Sequence, residues 1–210
     1  MSNIEQLEVD PSKYSRPIRI YGDVDGVISP YFHSREEAEA HKPQRSFMFE
    51  RWSPSVQDYE GARYDFQWDE FAVNKYREWS LNPNVDFVWL TSLRHNAPKF
   101  LDPFAGIESI GYLPWTDKLG DHDQSFKKVA VEEDQESHPS KFVWIDDMAN
   151  IASYGEALFV NWDTEREVDG VYVYDEIIKS TEYLAITPNK YVGLTPEHAA
   201  QVDAFIARNS

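Results

Sequence analysis

The sequence predicts an α/β protein built on a doubly wound parallel sheet. Three observations carry this: short apolar runs alternate with stretches of helical period, the runs are near-continuous in apolar residues, and polar residues gather where they end. Strands covered on both faces read as continuous apolar segments, because crossover helices pack on each side of a parallel sheet. Open sheets of this kind bind ligands beyond the carboxyl ends of their strands.

Taken in order, residues 1–16 are mostly polar, contain Pro11 and run into Pro17, which reads as an N-terminal arm before a single domain over 17–210. Ile18 to Tyr21 is the first strand, and it breaks into Gly22-Asp23-Val24-Asp25-Gly26. An insertion of about 29–68 follows. Within it, Ser34 to Gln44 suggests a short exposed helix ended by Pro43, while Ser46 to Trp52 and Arg63 to Trp68 suggest the two strands of a small hairpin. From Asp69 to Ser80, Phe71, Val73, Tyr76 and Trp79 recur near helical spacing. Val85 to Leu90 is a second strand ending in Thr91-Ser92, and Ile107 to Leu113 a short third one. Ser125 to Glu133 reads as a helix, and Phe142 to Ile145 as a strand running into Asp146-Asp147. Two segments compete for the fifth strand, Ala157 to Trp162 and Glu182 to Ile186, with Val171 to Tyr174 able to pair with either. Thr195 as N-cap and Pro196 at the first helical position open a closing helix to about Ala207.

Composition narrows the function. With 210 residues the chain can bury a full core, and with no cysteine any metal site must use oxygen or imidazole. The formal charge of −17 argues against a general polyanion binder, since phosphate backbones are held by clustered cations. No window approaches the roughly 18 apolar residues of a spanning helix, so a soluble, cytoplasmic protein without membrane contact is expected. The seven tryptophans suit core packing first.

Three strand ends thus deliver Asp23/Asp25, Thr91/Ser92 and Asp146/Asp147 toward one crevice. Carboxylates held together at buried strand ends are expensive unless a cation or phosphoryl group lies between them. The ordered set of Asp-x-Asp-Gly, a strand ending in Thr, a lysine, and a strand ending in Asp-Asp resembles the haloacid dehalogenase-like (HAD) superfamily of phosphohydrolases, over about Ile18 to Asn150. The segments Val-Trp-Leu-Thr-Ser, Phe-Val-Trp-Ile-Asp-Asp and Ile-Thr-Pro-Asn-Lys-Tyr-Val-Gly-Leu-Thr are similar to a subgroup of small bacterial and phage HAD domains, some linked to RNA repair.

The resemblance implies a division of labour. Asp23 would be the nucleophile that forms an aspartyl-phosphate, and Asp25 the proton carrier for leaving group and water. Thr91 would donate to a phosphoryl oxygen, and a lysine, Lys127 ahead of its neighbour Lys128, would offset the negative charge. Lys141 lies so near the start of its strand that it should point to the far end. Gly26, Ser92 and Arg94 would face the substrate, with His95 beside Arg94. Asp23, Asp25, Asp146 and Asp147 would surround Mg²⁺, which favours a few carboxylates plus waters. The implied reaction is Mg²⁺-dependent hydrolysis of a phosphomonoester, and the short insertion leaves the crevice open to nucleotides or nucleic-acid ends. A phosphoacceptor or ligand-binding module without turnover is the competing reading.

Overall fold

The computed structural model describes residues 8–31, 55–57, 63–65, 68–114, 125–147, 149, 160–168, 171–176 and 183–210. The helix predicted over 34–44 and the strand predicted over 46–52 lie outside them. Among the described residues the central sheet has four strands: β1 (Ile18–Gly22), β4 (Val85–Trp89), β5 (Lys141–Ile145) and β8 (Tyr183–Ile186). Their order is β4-β1-β5-β8 and every pairing is parallel, so all four carboxyl ends open on one edge.

Side chains of a strand alternate between faces, and the core divides accordingly. Ile18 and Ile20 of β1, Val85, Phe87 and Trp89 of β4, and Val143 and Ile145 of β5 pack on one face. Against them lie α1 (Glu70–Ser80), through Ala72, Val73, Tyr76 and Trp79, the short α2 (Asp102–Ala105), through Ala105, and α4 (Pro196–Asn209), through Ala199, Val202, Phe205 and Ile206. Tyr21, Val88, Leu90, Phe142 and Trp144 face the other way, onto Ala130 and Val131 of α3 (Ser125–Ser137). Helices therefore cover both faces, as the continuous apolar runs required.

The helix starts follow local chemistry. Asp69 caps α1, its Oδ1 accepting from the amides of Phe71 at 2.9 Å and Ala72 at 3.4 Å, while its own amide bonds the Ile28 carbonyl at 2.9 Å. The start of α1 is thereby tied to the turn after β1. Thr195 caps α4 in a reciprocal box with His198, which takes the place usually held by Glu or Gln.

Three expectations change. Strand β3 (Arg63–Asp65) pairs antiparallel with β2 (Ser55–Gln57), which lies between the two predicted hairpin strands. The predicted strand Ile107 to Leu113 is no strand: it runs beside β4 and makes a single bridge there, Tyr112 to Trp89. Gly111, at φ 131°, takes the backbone out of register, yet Ile110 and Leu113 amides still bond β4 carbonyls and cover that edge. For the last strand of the central sheet, β8 prevails, and β6 (Val160–Val168) instead forms an antiparallel ribbon with β7 (Val171–Glu176). Tyr-Leu-Ala-Ile suits a sheet covered on two faces; the polar Asn-Trp-Asp-Thr-Glu-Arg-Glu of β6 does not.

Residues 8–16 lie against the domain. Val9 donates to the Tyr112 carbonyl at 3.0 Å, and the amides of Ser15 and Arg16 donate to Asp86 Oδ2 at 3.0 and 3.1 Å.

Candidate active site

Strand register assembles the site. Gly22 is level with Trp89 on one side and Ile145 on the other, and Ile145 with Ile186. The ladder runs one bond further, with Asp23 N to Ile145 O at 3.0 Å, Leu90 N to Gly22 O at 2.9 Å and Asp146 N to Ile186 O at 3.1 Å. Asp23, Asp146 and, one residue later, Thr91 thus emerge side by side from β1, β5 and β4, all buried.

The turn after β1 is tightly bonded. Ile28 and Ser29 amides both bond the Val24 carbonyl, and Gly26 N bonds Ser29 O at 2.9 Å. Gly26 sits at φ 71°, and a Cβ there would lie 2.6 Å from Asp147 Cγ, so only glycine lets the turn approach the second aspartate of the β5 pair. Asp23 is held twice: its Oδ1 accepts from Val24 N at 2.7 Å, and its carbonyl accepts from the Tyr76 hydroxyl at 3.0 Å. Helical periodicity marked Tyr76 as packing, and its hydroxyl gave no sequence signal of a second role.

Lys127 is the ionic centre. Its Nζ donates to Asp23 Oδ2 and to Asp146 Oδ2, each at 2.7 Å, with all three side chains nearly inaccessible. Burial alone would lower the Lys127 pKa, but the two carboxylates outweigh it and hold the ammonium charged. Lys128, one helical step round, pairs with Glu132 at 3.3 Å, and Lys141 Nζ donates to Asn209 Oδ1 at the opposite end of β5.

Lys127 does not offset the burial of the carboxyl groups around it. Burial, reinforced by Asp146, pushes the Asp23 pKa upward against the pull of Lys127. Burial and the Asp146 charge raise Asp147 to about 6. Burial also raises Asp25, opposed by a hydrogen bond from Ser92 Oγ to its Oδ2 at 3.3 Å. Burial is the first cause of all three shifts, and a cation among these carboxyl groups would favour their charged forms.

The donor chemistry fits a hard divalent cation. Among the described residues, Asp23, Asp146 and Asp147 each offer a carboxylate oxygen within 4.8 Å of the others. An octahedral Mg²⁺ with bonds of about 2.1 Å spans roughly 4.2 Å between opposite ligands. Asp25 does not belong to that group; its contact is Ser92.

The remaining predicted residues stand around this centre. Thr91 opens the turn after β4, its carbonyl accepting from Arg94 N at 3.0 Å. Arg94 itself holds φ at 49°, a left-handed backbone unusual outside glycine. His95 is buried with its ring edge-on to Tyr112, away from solvent.

Residues 19–169, about seven tenths of the chain, match a family model described as the HAD domain in Swiss Army Knife RNA repair proteins. No curated protein and no solved structure matches the chain. No helix among the described residues is long and apolar enough to cross a membrane.

Proposed function

The chain belongs to the HAD domains of Swiss Army Knife RNA repair proteins, and from that membership we propose that it hydrolyses terminal phosphomonoesters of nucleotides or nucleic-acid ends, through an aspartyl-phosphate and with Mg²⁺. The observation that carries this reading is Lys127 Nζ held at 2.7 Å from both Asp23 and Asp146, beside Asp147. A buried carboxylate with a cation on one oxygen and its backbone locked is positioned, rather than free to rotate, for attack on a dianionic phosphoryl group.

Asp23, Asp146 and Asp147 would hold Mg²⁺, which would neutralise phosphoryl oxygens as they approach the anionic site. Asp23 attacks phosphorus, forming the acyl-phosphate bond as the ester P–O bond breaks. Asp25, whose raised pKa favours a carried proton, gives that proton to the departing alkoxide. It then removes a proton from water, which attacks phosphorus, breaks the bond to Asp23 and releases inorganic phosphate. Lys127 holds Asp23 in place and offsets charge through both steps. Thr91 and Ser92 supply hydroxyls at the same edge, and Arg94 a guanidinium. Having Asp25 beside Ser92 favours turnover over a stable phosphoacceptor, because the base that destroys the adduct is present.

The test compares phosphate release from mononucleotides, end-phosphorylated oligonucleotides and sugar phosphates, with Mg²⁺ and with chelator. Turnover should need Mg²⁺ and vanish in Asp23→Asn. A wild-type protein that releases no phosphate from any of them overturns the reading, and a labelled adduct that persists would favour the phosphoacceptor.

A further inference from the structure

The segment after β8 closes over the turn that carries Asp25. Tyr31 N donates to Lys190 O at 2.8 Å and Leu194 N to Val27 O at 3.0 Å, so residues 27–31 and 190–194 are laced together. Gly193, at φ 75°, has no room for a side chain: a Cβ would lie 2.6 Å from Val27 O. Asn189 organises the segment, its Oδ1 accepting from Tyr191 N at 2.9 Å and its carbonyl from Val192 N and Gly193 N.

This lacing leaves two side chains at the mouth of the phosphoryl site. Tyr31 is 48% exposed, one of the large hydrophobic side chains left on the described surface, and Lys190, whose backbone is bonded to it, is exposed with Nζ 5.2 Å from the Tyr191 ring centre. Both sense the aspartates. After burial, the charges of Asp25, Asp147 and Asp23, in that order, push the Tyr31 hydroxyl up to about 12, and Lys190 acts on Asp147.

An aromatic face half open to solvent, on a backbone laced to its neighbour, suits a flat apolar group; an ammonium carried by that neighbouring segment suits an anion. Both stand on segments bonded to each other and to the turn that carries Asp25. We propose that Tyr31 and Lys190 form the subsite for the leaving nucleotide, Tyr31 stacking on the terminal base and Lys190 pairing with the next phosphate along a single strand. This rests on the phosphomonoesterase reading and adds the substrate's polymeric nature to it. It also reconciles a nucleic-acid end with a chain of charge −17: a short contact at one strand end needs few cations, whereas a groove along a backbone needs many.

The test measures kcat/KM of the wild type, Tyr31→Ala, Tyr31→Phe and Lys190→Ala on an end-phosphorylated single-stranded decanucleotide and on acetyl phosphate, which has no base to stack. For Tyr31→Ala the ratio of the two values should fall at least about fivefold, the lower end for one lost stack. Tyr31→Phe should recover the ratio, since the ring and not the hydroxyl does the stacking. For Lys190→Ala the ratio should fall, and the slope of log kcat/KM against log salt on the decanucleotide should become shallower by about 0.7, one contact's worth. Unchanged ratios in both alanine variants, or a wild type active on acetyl phosphate but not on the decanucleotide, overturn the subsite and leave phosphoryl transfer standing. A wild type inactive on both substrates overturns both.

Discussion

Replacing Asp134 with asparagine tests whether a polar cluster far from the sheet edge sets the position of Lys127. Asp134 and Lys127 share α3 seven residues apart, about two turns and roughly 10 Å along the same face. The Asp134 carboxylate accepts from Arg19, from the Tyr21 hydroxyl and, at 2.8 Å, from the Tyr14 hydroxyl. Gln135 adds a bond to the Tyr21 hydroxyl at 2.7 Å, and the Arg19 guanidinium stacks 3.5 Å over the Tyr14 ring. Arg19 and Asp134 side chains are each about 4% exposed. Asparagine keeps the shape but leaves a buried guanidinium without its counter-charge, and breaking a buried pair this way typically destabilises by about 3–5 kcal/mol. For a chain of this size each kcal/mol moves the midpoint by about 2–4 °C, so a fall of about 6–20 °C is expected. Urea unfolding followed by tryptophan fluorescence gives the free energy, and phosphate release at a temperature where the variant stays folded gives the effect on Lys127. A loss below about 1 kcal/mol in Asp134→Asn would refute the reasoning, since it would mean the pair is solvated and does not clamp the helix.

Three other outcomes follow from the same geometry. Asp102 accepts from Trp89 Nε1 at 2.7 Å and from Ser109, yet burial outweighs both and raises its pKa to about 6. The folded state therefore takes up this proton more readily than the unfolded chain, so wild type should gain stability relative to Asp102→Asn as pH falls from about 7 to 4, by at most about 3 kcal/mol; a pH-independent difference in urea midpoints would contradict this. Gly26→Ala meets both a left-handed backbone and the Asp147 carboxylate at 2.6 Å, and it should lose about 1–2 kcal/mol and bind Mg²⁺ more weakly in titration calorimetry; wild-type affinity would show that the turn has slack. Mg²⁺ at a hundredfold its Kd should stabilise the wild type by about 2.7 kcal/mol in thermal melts, and Asp147→Asn should lose most of that gain; equal gains in both proteins would place the ion elsewhere.

Much of the fold was legible because its causes are local. The apolar runs at Ile18, Val85 and Phe142 could only be strands covered on both faces, and Thr195-Pro196 could hardly fail to start a helix. The Asp-x-Asp-Gly turn could be read with its glycine because the left-handed backbone is dictated within four residues. Pattern misled where partners were distant. Ile107 to Leu113 has strand composition, but Gly111 and its place at the sheet edge leave it bridging rather than pairing. Likewise, β6 and Tyr183–Ile186 both carried strand character, and only the number of faces to be covered separated them.

The site divides in the same way. By itself the sequence determined which residue types stand at the strand ends, Asp23, Thr91 and Asp146, because strand boundaries and side-chain chemistry are written in neighbouring positions. Only the tertiary structure decided that Lys127 rather than Lys128 reaches both Asp23 and Asp146, since a single step round α3 turns one ammonium into the crevice and the other toward Glu132. It alone brought Arg19 to Asp134 and Lys190 to Tyr31, pairs more than a hundred residues apart. No local pattern encodes such meetings: parallel register and helix packing set them, and both are properties of the whole folded chain.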